Sequence, residues 1–334
     1  MKELSLREQV GQLVILRFDG AAVPNYVAEA LRSGEASGAI LFSDNVVSAE
    51  GLRALTRGLQ SAARGSALIA TDQEGGEVRN VPFAPPETSP SLIAQPAEAE
   101  RLARVTGREL RAFGVNVNLA PVADVADTPR SVVVGRAYPG GATKVGALVE
   151  RAVSGYRAGG VAATAKHFPG LGAAEQNTDD AAVTIGRGRK KLLGTDLEPF
   201  RRAVGAGVPL VMASHALYPS LDRKRIASQS NAVLSDLLRD EVGFQGAIVT
   251  DSLEAEAVLS RSDTPTAAVR SVAAGADLML TTSSGSYPPV VERLRAEARR
   301  SDVFRARVED AAERVLALKE RLGLKPPPGL RGWQ

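Results

Sequence analysis

Short runs of apolar residues recur along the chain, separated by longer stretches in which apolar and polar residues follow a helical spacing. The runs are mostly Val, Ile, Leu and Ala, as expected for parallel strands that are buried on both faces. The run at 38–42 is the weakest, because it is short. The eight predicted strands span residues 12–17, 38–42, 67–71, 115–120, 161–165, 208–213, 246–250 and 276–281.

The stretches between these runs predict amphipathic helices, and a further helix starts near the N-terminus. Strands that alternate with helices imply right-handed βαβ units, and eight such units close into a (β/α)8 TIM barrel of the α/β class. No linker divides the chain, so residues 1–334 are interpreted as one domain with an extended Pro-rich tail from about Lys325. The predicted helices span residues 48–63, 97–113, 142–158, 189–205, 232–241, 267–274, 288–300 and 303–322.

Composition narrows the class of protein. The chain is 44% hydrophobic and 24% charged, which is typical of a globular protein, and its net charge of +3 with scattered basic residues does not favour a nucleic-acid partner. It has no cysteine, so disulfides and thiolate metal sites are excluded. We expect no metal and no cofactor, because His-x-x-x-His spacing, a Walker loop, a Gly-x-Ser-x-Gly turn and a dinucleotide fingerprint are all missing.

The location and assembly of the protein are expectations from the same sequence. Residues 1–8 carry acids and no apolar run, so no signal peptide is visible, and no window approaches the roughly 18 apolar residues that span a bilayer. These observations predict a cytoplasmic protein without a membrane partner. A monomer is favoured, although the sequence leaves the oligomeric state open.

Ionisable residues follow the predicted strands at the points where catalytic groups of such barrels lie. An Asp at this position often caps the next helix instead, and we keep that interpretation for Asp19 and Asp44. Convergence of the others on one barrel face is harder to explain by capping. The ends of the first seven strands carry Asp19, Asp44, Asp72 with Glu74, Asp124, Lys166 with His167, His215 and Asp251.

The stretch from Lys166 to Gly172 stands out among these strand ends. It places a cation and one of the two histidines of the chain ahead of a loop rich in Gly and Pro, and an acidic polar segment follows at 175–180. Carboxylates accept hydrogen bonds from sugar hydroxyls, and Lys, His and Arg donate to them. A carboxylate pair is also the minimum apparatus for glycoside hydrolysis. The strand ends therefore favour a carbohydrate site.

Six motifs in one order give the chain a family resemblance. It resembles the single-domain bacterial β-N-acetylhexosaminidases of glycoside hydrolase family 3, from about Leu6 to Leu322. The motifs are Thr71-Asp72-Gln73-Glu74-Gly75-Gly76-Glu77-Val78-Arg79, Ala120-Pro121-Val122-Ala123-Asp124-Val125, Gly135-Arg136-Ala137-Tyr138, Lys166-His167-Phe168-Pro169-Gly170, Met212-Ala213-Ser214-His215-Ala216-Leu217-Tyr218-Pro219 and Gly243-Phe244-Gln245-Gly246-Ala247-Ile248-Val249-Thr250-Asp251-Ser252-Leu253.

The resemblance implies a retaining exo-glycosidase that removes a terminal β-linked sugar through a covalent intermediate. It makes Asp251 the nucleophile, since a carboxylate can attack the anomeric carbon and later leave from it. An alternative for Asp251 is a helix N-cap ahead of 253–258. The resemblance also implies a set of residues that bind the sugar: Asp72, Arg136, Lys166 and His167, with His215 near the floor of the pocket.

One part of the family pattern is missing. The family's Gly-His-Gly loop reads Gly170-Leu171-Gly172 here, and its Asp-Ser-His triplet, which supplies the acid/base histidine, reads Asn177-Thr178-Asp179. We expect Asp179, or else Asp180, to act as acid/base, with a pKa raised by burial and by Asp251. The glycines and Ala173-Ala174 predict a loop that closes on substrate.

Three functions stay open at this point. The first is a β-N-acetylhexosaminidase that releases terminal N-acetylglucosamine from cell-wall-derived saccharides, as in peptidoglycan recycling. The second is a β-glucosidase or xylosidase of the same family, although the C-terminal domain that supplies the acid/base of those enzymes is missing from this sequence. The third is a sugar-binding homologue that has lost catalysis, in which Asp179 holds a ligand or a metal.

Overall fold

The computed structural model describes residues 4–327 and residue 330. The predicted extended tail from Lys325 therefore lies mostly outside the described residues. At its start, the Lys325 N–H donates to the Gly65 carbonyl at 3.0 Å. Across the described part of the chain, no helix is both long enough and apolar enough to cross a bilayer.

Eight parallel strands form a closed barrel, and each corresponds to one of the eight predicted strands. The strands are β1 (Val14–Leu16), β2 (Gly38–Leu41), β3 (Leu68–Thr71), β4 (Gln73–Gly75), β5 (Val78–Arg79), β6 (Val117–Asn118), β7 (Ala162–Phe168), β8 (Leu210–Ala213), β9 (Ala247–Ser252) and β10 (Leu278–Leu280). The barrel order is β1, β2, β3, β6, β7, β8, β9, β10 and back to β1. A hairpin of β4 and β5, which the sequence pattern did not predict, follows β3.

Helices surround the barrel, and every predicted helix is present. Residues 189–205 contain a π-helical segment, Leu192–Asp196, between two α-helices, and Ala232–Glu241 is π-helical throughout. A helix at Asn25–Arg32 was not predicted. The α-helices are α1 (Leu6–Gln12), α2 (Asn25–Arg32), α3 (Ala49–Ala62), α4 (Pro96–Ala112), α5 (Ala142–Ala158), α6 (Arg189–Lys191), α7 (Glu198–Gly205), α8 (Glu256–Leu259), α9 (Thr264–Ala274), α10 (Tyr287–Arg300) and α11 (Asp302–Arg321).

The short strand β2 is held by close packing of its first residue. Gly38 pairs with Leu68 of β3 and with Ile15 of β1. A Cβ at Gly38 would lie 1.8 Å from the Leu68 carbonyl oxygen, so only glycine fits there. The weakest predicted strand is thus confirmed, and its register depends on this contact.

The capping interpretation of Asp19 and Asp44 is wrong. Ser48 caps α3, and Pro24 precedes α2 without a side-chain cap. The Arg17 guanidinium instead lies 3.4 Å from the Asp19 carboxylate and 3.2 Å from the Asp44 carboxylate. Both acids are structural, as expected, but they pair with a cation rather than with a helix N-terminus.

A buried lysine lies at the end of the barrel opposite the carboxyl ends of its strands. Lys319 of α11 is 1% exposed, and its Nζ donates to the Gln12 Oε1 at 2.7 Å. Burial lowers the pKa of Lys319 from 10.5 to about 7. The folded protein therefore binds this proton only below about pH 7, whereas the unfolded chain binds it up to about pH 10.5.

We expect Lys319→Met to stabilise the protein at neutral pH. Stability should rise with pH between about 7 and 10.5 in the wild type, and this rise should largely disappear in the variant. The gain at pH 7 is expected to be about 2 kcal/mol, since the unpaired Gln12 amide offsets part of it. Urea unfolding across this pH range measures it, with the exposed Lys144→Met as control. Parallel pH profiles for wild type and Lys319→Met would contradict the assignment.

Candidate active site

A cavity of about 610 Å³ lies over the carboxyl ends of the barrel strands. Its apolar floor is formed by Ile40, Leu119, Met212 and Leu280, which belong to or follow barrel strands. Six of the residues proposed from the sequence line this one cavity: Asp72, Arg136, Lys166, His167, Asp179 and Asp251. The sequence motifs thus converge in space, at the end of the barrel where active sites of this fold occur.

A buried ion cluster forms one wall of the cavity. Lys166 Nζ lies 2.6 Å from an oxygen of Asp72 and 2.6 Å from an oxygen of Glu74. Arg136 donates to both oxygens of Glu74, from Nε at 2.9 Å and from Nη2 at 2.7 Å. The cluster fixes the direction of each side chain before a ligand arrives, which lowers the cost of ordering them on binding.

The charges of this cluster are maintained by mutual pairing. Burial would raise the pKa of Glu74, but Lys166 and Arg136 lower it to about 2. Burial would lower the pKa of Lys166, but Asp72 and Glu74 raise it above its usual value. Glu74 and Lys166 are therefore ionised at neutral pH, and the Lys166 ammonium can make charge-assisted hydrogen bonds to hydroxyls in the cavity.

His167 is oriented by a buried carboxylate. Its ring Nδ1 lies 2.7 Å from Asp124 Oδ2, and Asp124 also accepts the backbone N–H groups of His167 and Leu171, the latter at 2.6 Å. This pairing leaves Nε2 as the ring nitrogen that can contact a ligand in the cavity. The strand β7 continues to Phe168, so Lys166 and His167 lie on the strand rather than just beyond it, as the predicted strand 161–165 implied.

Asp251 lies on β9, not at a helix N-cap. The next helix, α8, begins at Glu256 with Ala255 as its N-cap, so the capping alternative for Asp251 is wrong. The Ser252 N–H donates to Asp251 Oδ1 at 2.8 Å. Burial acts to raise the pKa of Asp251, but neighbours led by His167 outweigh burial and leave the pKa below its usual value. Asp251 is thus an ionised carboxylate at neutral pH.

Main-chain hydrogen bonds hold the loop that carries Asp179 next to the segment after β9. The Glu256 N–H donates to the Asp179 carbonyl at 3.0 Å, and the Ala257 N–H donates to the Thr178 carbonyl at 3.1 Å. The Asn177 side-chain amide donates to Asp179 Oδ2 at 3.1 Å. The two anchors place the Asp179 carboxyl at the rim of the cavity that contains Asp251.

The environments of the two carboxyls push their pKa values apart. The Asp179 side chain keeps solvent contact at the rim, yet the surrounding walls and the charge of Asp251 raise its pKa, and Asn177 opposes this in part. These are the two causes expected from the sequence. Opposite shifts in a carboxyl pair are the usual sign of one acid and one anion. Asp180, the other candidate, is exposed and does not line the cavity.

His215 is completely buried behind the cavity. Its Nδ1 lies 2.7 Å from the Ser228 hydroxyl, and its Nε2 has no hydrogen-bond partner among the residues that the structure describes. Burial lowers the pKa of His215, so its ring is neutral at neutral pH. This agrees with a place near the floor, but His215 is not among the residues that line the cavity.

Sequence reasoning missed the roles of three acids. Asp124 and Glu74 were noticed only as strand-end residues, whereas the structure makes them the buried partners of the histidine and the two cations. Glu254 lines the cavity and accepts the Thr282 N–H at 2.8 Å and the Ser286 hydroxyl at 2.7 Å. In the sequence, Glu254 is distinguished by its position three residues after Asp251, and that position alone does not indicate a residue of the cavity.

A closed eight-stranded barrel with two carboxyls and a cluster of paired charges at the carboxyl end of its strands is typical of barrel glycoside hydrolases. The chain belongs to glycosyl hydrolase family 3, whose N-terminal domain it matches over residues 5–318. The resemblance and the barrel fold expected from the sequence are both confirmed.

Relatives with known names agree with this family. A β-hexosaminidase of Alkalilimnicola ehrlichii is 35% identical over 268 residues, covering 77% of this chain and 76% of the relative. A β-N-acetylglucosaminidase structure from Paenibacillus sp. str. FPU-7 has a TM-score of 0.90 and 35% identity, covering 96% of this chain and 63% of that one. A β-N-acetylhexosaminidase structure from Beutenbergia cavernae has a TM-score of 0.88 and 30% identity, covering 95% and 99%.

Lengths vary among these relatives. The chain spans about half, 53%, of a β-hexosaminidase A from Pseudoalteromonas piscicida that is 30% identical to it. It spans 94% of a secreted glycosyl hydrolase from Arthroderma benhamiae that is 31% identical. The barrel is therefore shared by relatives that have further segments and by relatives that are barely longer than this chain.

Proposed function

We propose that this protein is a retaining exo-β-N-acetylhexosaminidase that releases terminal N-acetylglucosamine from cell-wall-derived saccharides. The observation that carries the proposal is the carboxyl pair, in which Asp251 has a lowered pKa and Asp179 a raised pKa in one cavity. The choice of sugar is supported by the names of the relatives, since a solved relative is a β-N-acetylglucosaminidase and several others are β-hexosaminidases. The cytoplasmic location and a role in peptidoglycan recycling stay predictions.

In the first chemical step, Asp251 attacks the anomeric carbon while Asp179 donates its proton to the glycosidic oxygen. The bond from the anomeric carbon to the leaving oxygen breaks, a glycosyl–Asp251 ester forms, and the aglycone leaves as an alcohol. In the second step, Asp179 takes a proton from water, the hydroxide attacks the anomeric carbon, and Asp251 leaves as a carboxylate. Two inversions retain the β configuration.

The ion cluster and His167 bind the terminal sugar in this proposal. Asp72 is half-buried, so it can accept from a hydroxyl while Lys166 neutralises it. His167 Nε2 and the Arg136 guanidinium supply further polar contacts. Because these groups are preorganised by Glu74 and Asp124, they need little rearrangement on binding.

Alanine at Asp72 or Lys166 should weaken monosaccharide binding by about 2 kcal/mol or more. Loss of Lys166 leaves Asp72 without its cation and Glu74 with Arg136 alone, and loss of Asp72 removes a charged acceptor. Calorimetric titration with N-acetylglucosamine measures the effect, with the exposed Lys190→Ala as control. Binding equal to wild type in both site variants would remove the cluster from the sugar site.

A second activity is favoured by one relative. A protein of Cellulomonas fimi named β-N-acetylglucosaminidase/β-glucosidase is 30% identical over 97% of this chain, and the chain covers 59% of it. The β-glucosidase or xylosidase alternative therefore stays a candidate. Turnover of aryl N-acetyl-β-glucosaminide, β-glucoside and β-xyloside separates the activities. We expect the N-acetyl-β-glucosaminide to be hydrolysed fastest. A protein that hydrolyses none of the three substrates would favour the sugar-binding homologue.

A further inference from the structure

A second cavity, of about 430 Å³, lies between the loop after β8 and the segment after β9. This volume falls within the roughly 300–1,000 Å³ range of small-molecule sites. Its lining is strongly basic, with Lys224, Arg225, Ile226, Gln229, Arg261 and Arg270, and it shares no residue with the cavity that contains Asp251.

The four cations of this basic cavity lack carboxylate partners. Within the described residues, none of them lies within 4.0 Å of an acid in an ion pair. The nearby Asp222 is already occupied by the N–H groups of Lys224 and Arg225 and by a serine hydroxyl. Four like charges around one cavity repel each other, and an anion would relieve that repulsion.

The acid at the N-cap of α9 is bound by the helix backbone, and the charge of Arg270 is among the influences that lower its pKa. Asp263 is the N-cap of α9, and its Oδ1 accepts the Thr266 N–H at 2.8 Å. The half-buried Arg239 and Arg307 contact Asp277 at 2.5 and 2.6 Å. In the basic cavity, Lys224, Arg225 and Arg261 are exposed and Arg270 is half-buried. The unpaired cations of the basic cavity therefore differ from the structural arginines of the same chain.

Gln229 adds an independent observation. It is only 6% exposed, and its side-chain nitrogen has no hydrogen-bond partner among the described residues. A buried donor without an acceptor costs free energy unless something completes it. Gln229 lines the same cavity as the four cations.

We propose that this basic cavity binds an oxyanion, a phosphate or carboxylate group, at a site separate from the sugar pocket. Arginine guanidinium groups donate in a planar fork that matches the oxygens of phosphate and carboxylate. The shared chemistry is that of a free anion and of an acidic group carried by a larger ligand.

The basic cavity is connected to the active site through two short segments. The turn Ala227–Gln229 ends at Gln229 and includes Ser228, which lies 2.7 Å from His215 Nδ1. Arg261 follows α8, whose Glu256 N–H holds the loop carrying Asp179. An acidic group on the aglycone would therefore bind on elements that also position catalytic groups, a role that rests on the proposed function.

Calorimetric titration with inorganic phosphate tests the site without any turnover. At constant ionic strength and pH, Arg261→Gln with Arg270→Gln should weaken phosphate binding by about tenfold or more. The matched control is Arg108→Gln with Arg300→Gln, which removes two exposed arginines outside this cavity and should bind as wild type does. The charge-conserving Arg261→Lys should retain the part of the affinity that depends on charge and lose the part that depends on the guanidinium fork.

Two results would overturn the site: no phosphate binding by wild type, or equal weakening in the paired and control variants. Kinetics distinguishes an anion that the substrate carries from a free anion. If the substrate carries it, the paired variant should lower kcat/KM about tenfold for an aryl glycoside with a carboxylated aglycone and leave the neutral one unchanged. If a free anion is bound, both glycosides respond alike while the phosphate affinity is still lost.

Discussion

Asp251→Asn should lower kcat by roughly 3 orders of magnitude or more while sugar binding survives. The amide matches the carboxylate in size but is a poor nucleophile, so the covalent step disappears. Asp251 is on the rigid strand β9, and the Ser252 N–H that it accepts can still bond to the amide oxygen. Steady-state kinetics on an aryl N-acetyl-β-glucosaminide measures the loss of kcat, and calorimetry with N-acetylglucosamine measures the remaining sugar binding.

The control for this experiment is Asp180→Asn. Asp180 is exposed and lies outside the lining of the cavity, so its loss should leave kcat nearly unchanged. Wild-type rates in Asp251→Asn would remove Asp251 from the mechanism. A parallel loss of turnover and sugar binding would instead assign Asp251 to binding.

Asp179→Ala should slow substrates with poor leaving groups far more than activated aryl glycosides. A leaving group such as dinitrophenolate needs no proton, so only the second step suffers with that substrate. General acid–base catalysis typically contributes about 10²–10⁴-fold, which sets the expected loss on an alkyl glycoside. External azide should restore turnover of the activated substrate, because it attacks the glycosyl–Asp251 ester without a base.

The pH dependence of activity provides a second test of the Asp179→Ala variant. In the wild type, activity should require Asp251 ionised and Asp179 protonated, so the raised pKa of Asp179 sets the basic limb and the lowered pKa of Asp251 the acidic limb. Asp179→Ala should lose the basic limb. If Asp179→Ala slows substrates with poor and with activated leaving groups equally, and azide restores neither, Asp179 has a binding role. That result would favour the non-catalytic function.

The barrel could be predicted from the sequence because its strands are buried on both faces. Runs such as 208–213 contain almost only apolar residues, and the turn and helix signals between them are regular. Even the short β2 was found, although the close contact of Gly38 with Leu68 that holds it could not be seen in the pattern. The helix α2 was missed because its eight residues begin after Pro24 without a side-chain cap.

The site was predictable only where residues follow strands in recognisable motifs. Asp251, Lys166 and Asp72 were placed correctly in one cavity by this logic. The buried partners Asp124 and Glu74 were harder to predict from the sequence, since only distances distinguish an acid that caps a helix from an acid that orients another side chain. Asp124 lies 43 positions before the histidine whose ring it holds, and no local pattern joins the two.

The glycines of the loop after β7 have a packing reason that the sequence did not show. A Cβ at Gly172 would lie 2.0 Å from the Val125 carbonyl oxygen, and Gly170 has φ +128° with its Cβ position 2.7 Å from Asp196 Cβ. Glycine is therefore required for close approach at both positions. Closure of this loop on substrate stays a prediction, as does the acid/base role of Asp179.

Trapping the covalent intermediate tests the account most directly. A 5-fluoro-N-acetyl-β-glucosaminyl fluoride should react readily because fluoride leaves without a proton, while the ring fluorine slows the second step and lets the ester accumulate. Mass spectrometry of the digested wild-type protein should then show one added glycosyl unit on the peptide that carries Asp251. A label on any other carboxylate, or an unlabelled protein that nonetheless turns over the aryl N-acetyl-β-glucosaminide, would contradict the account.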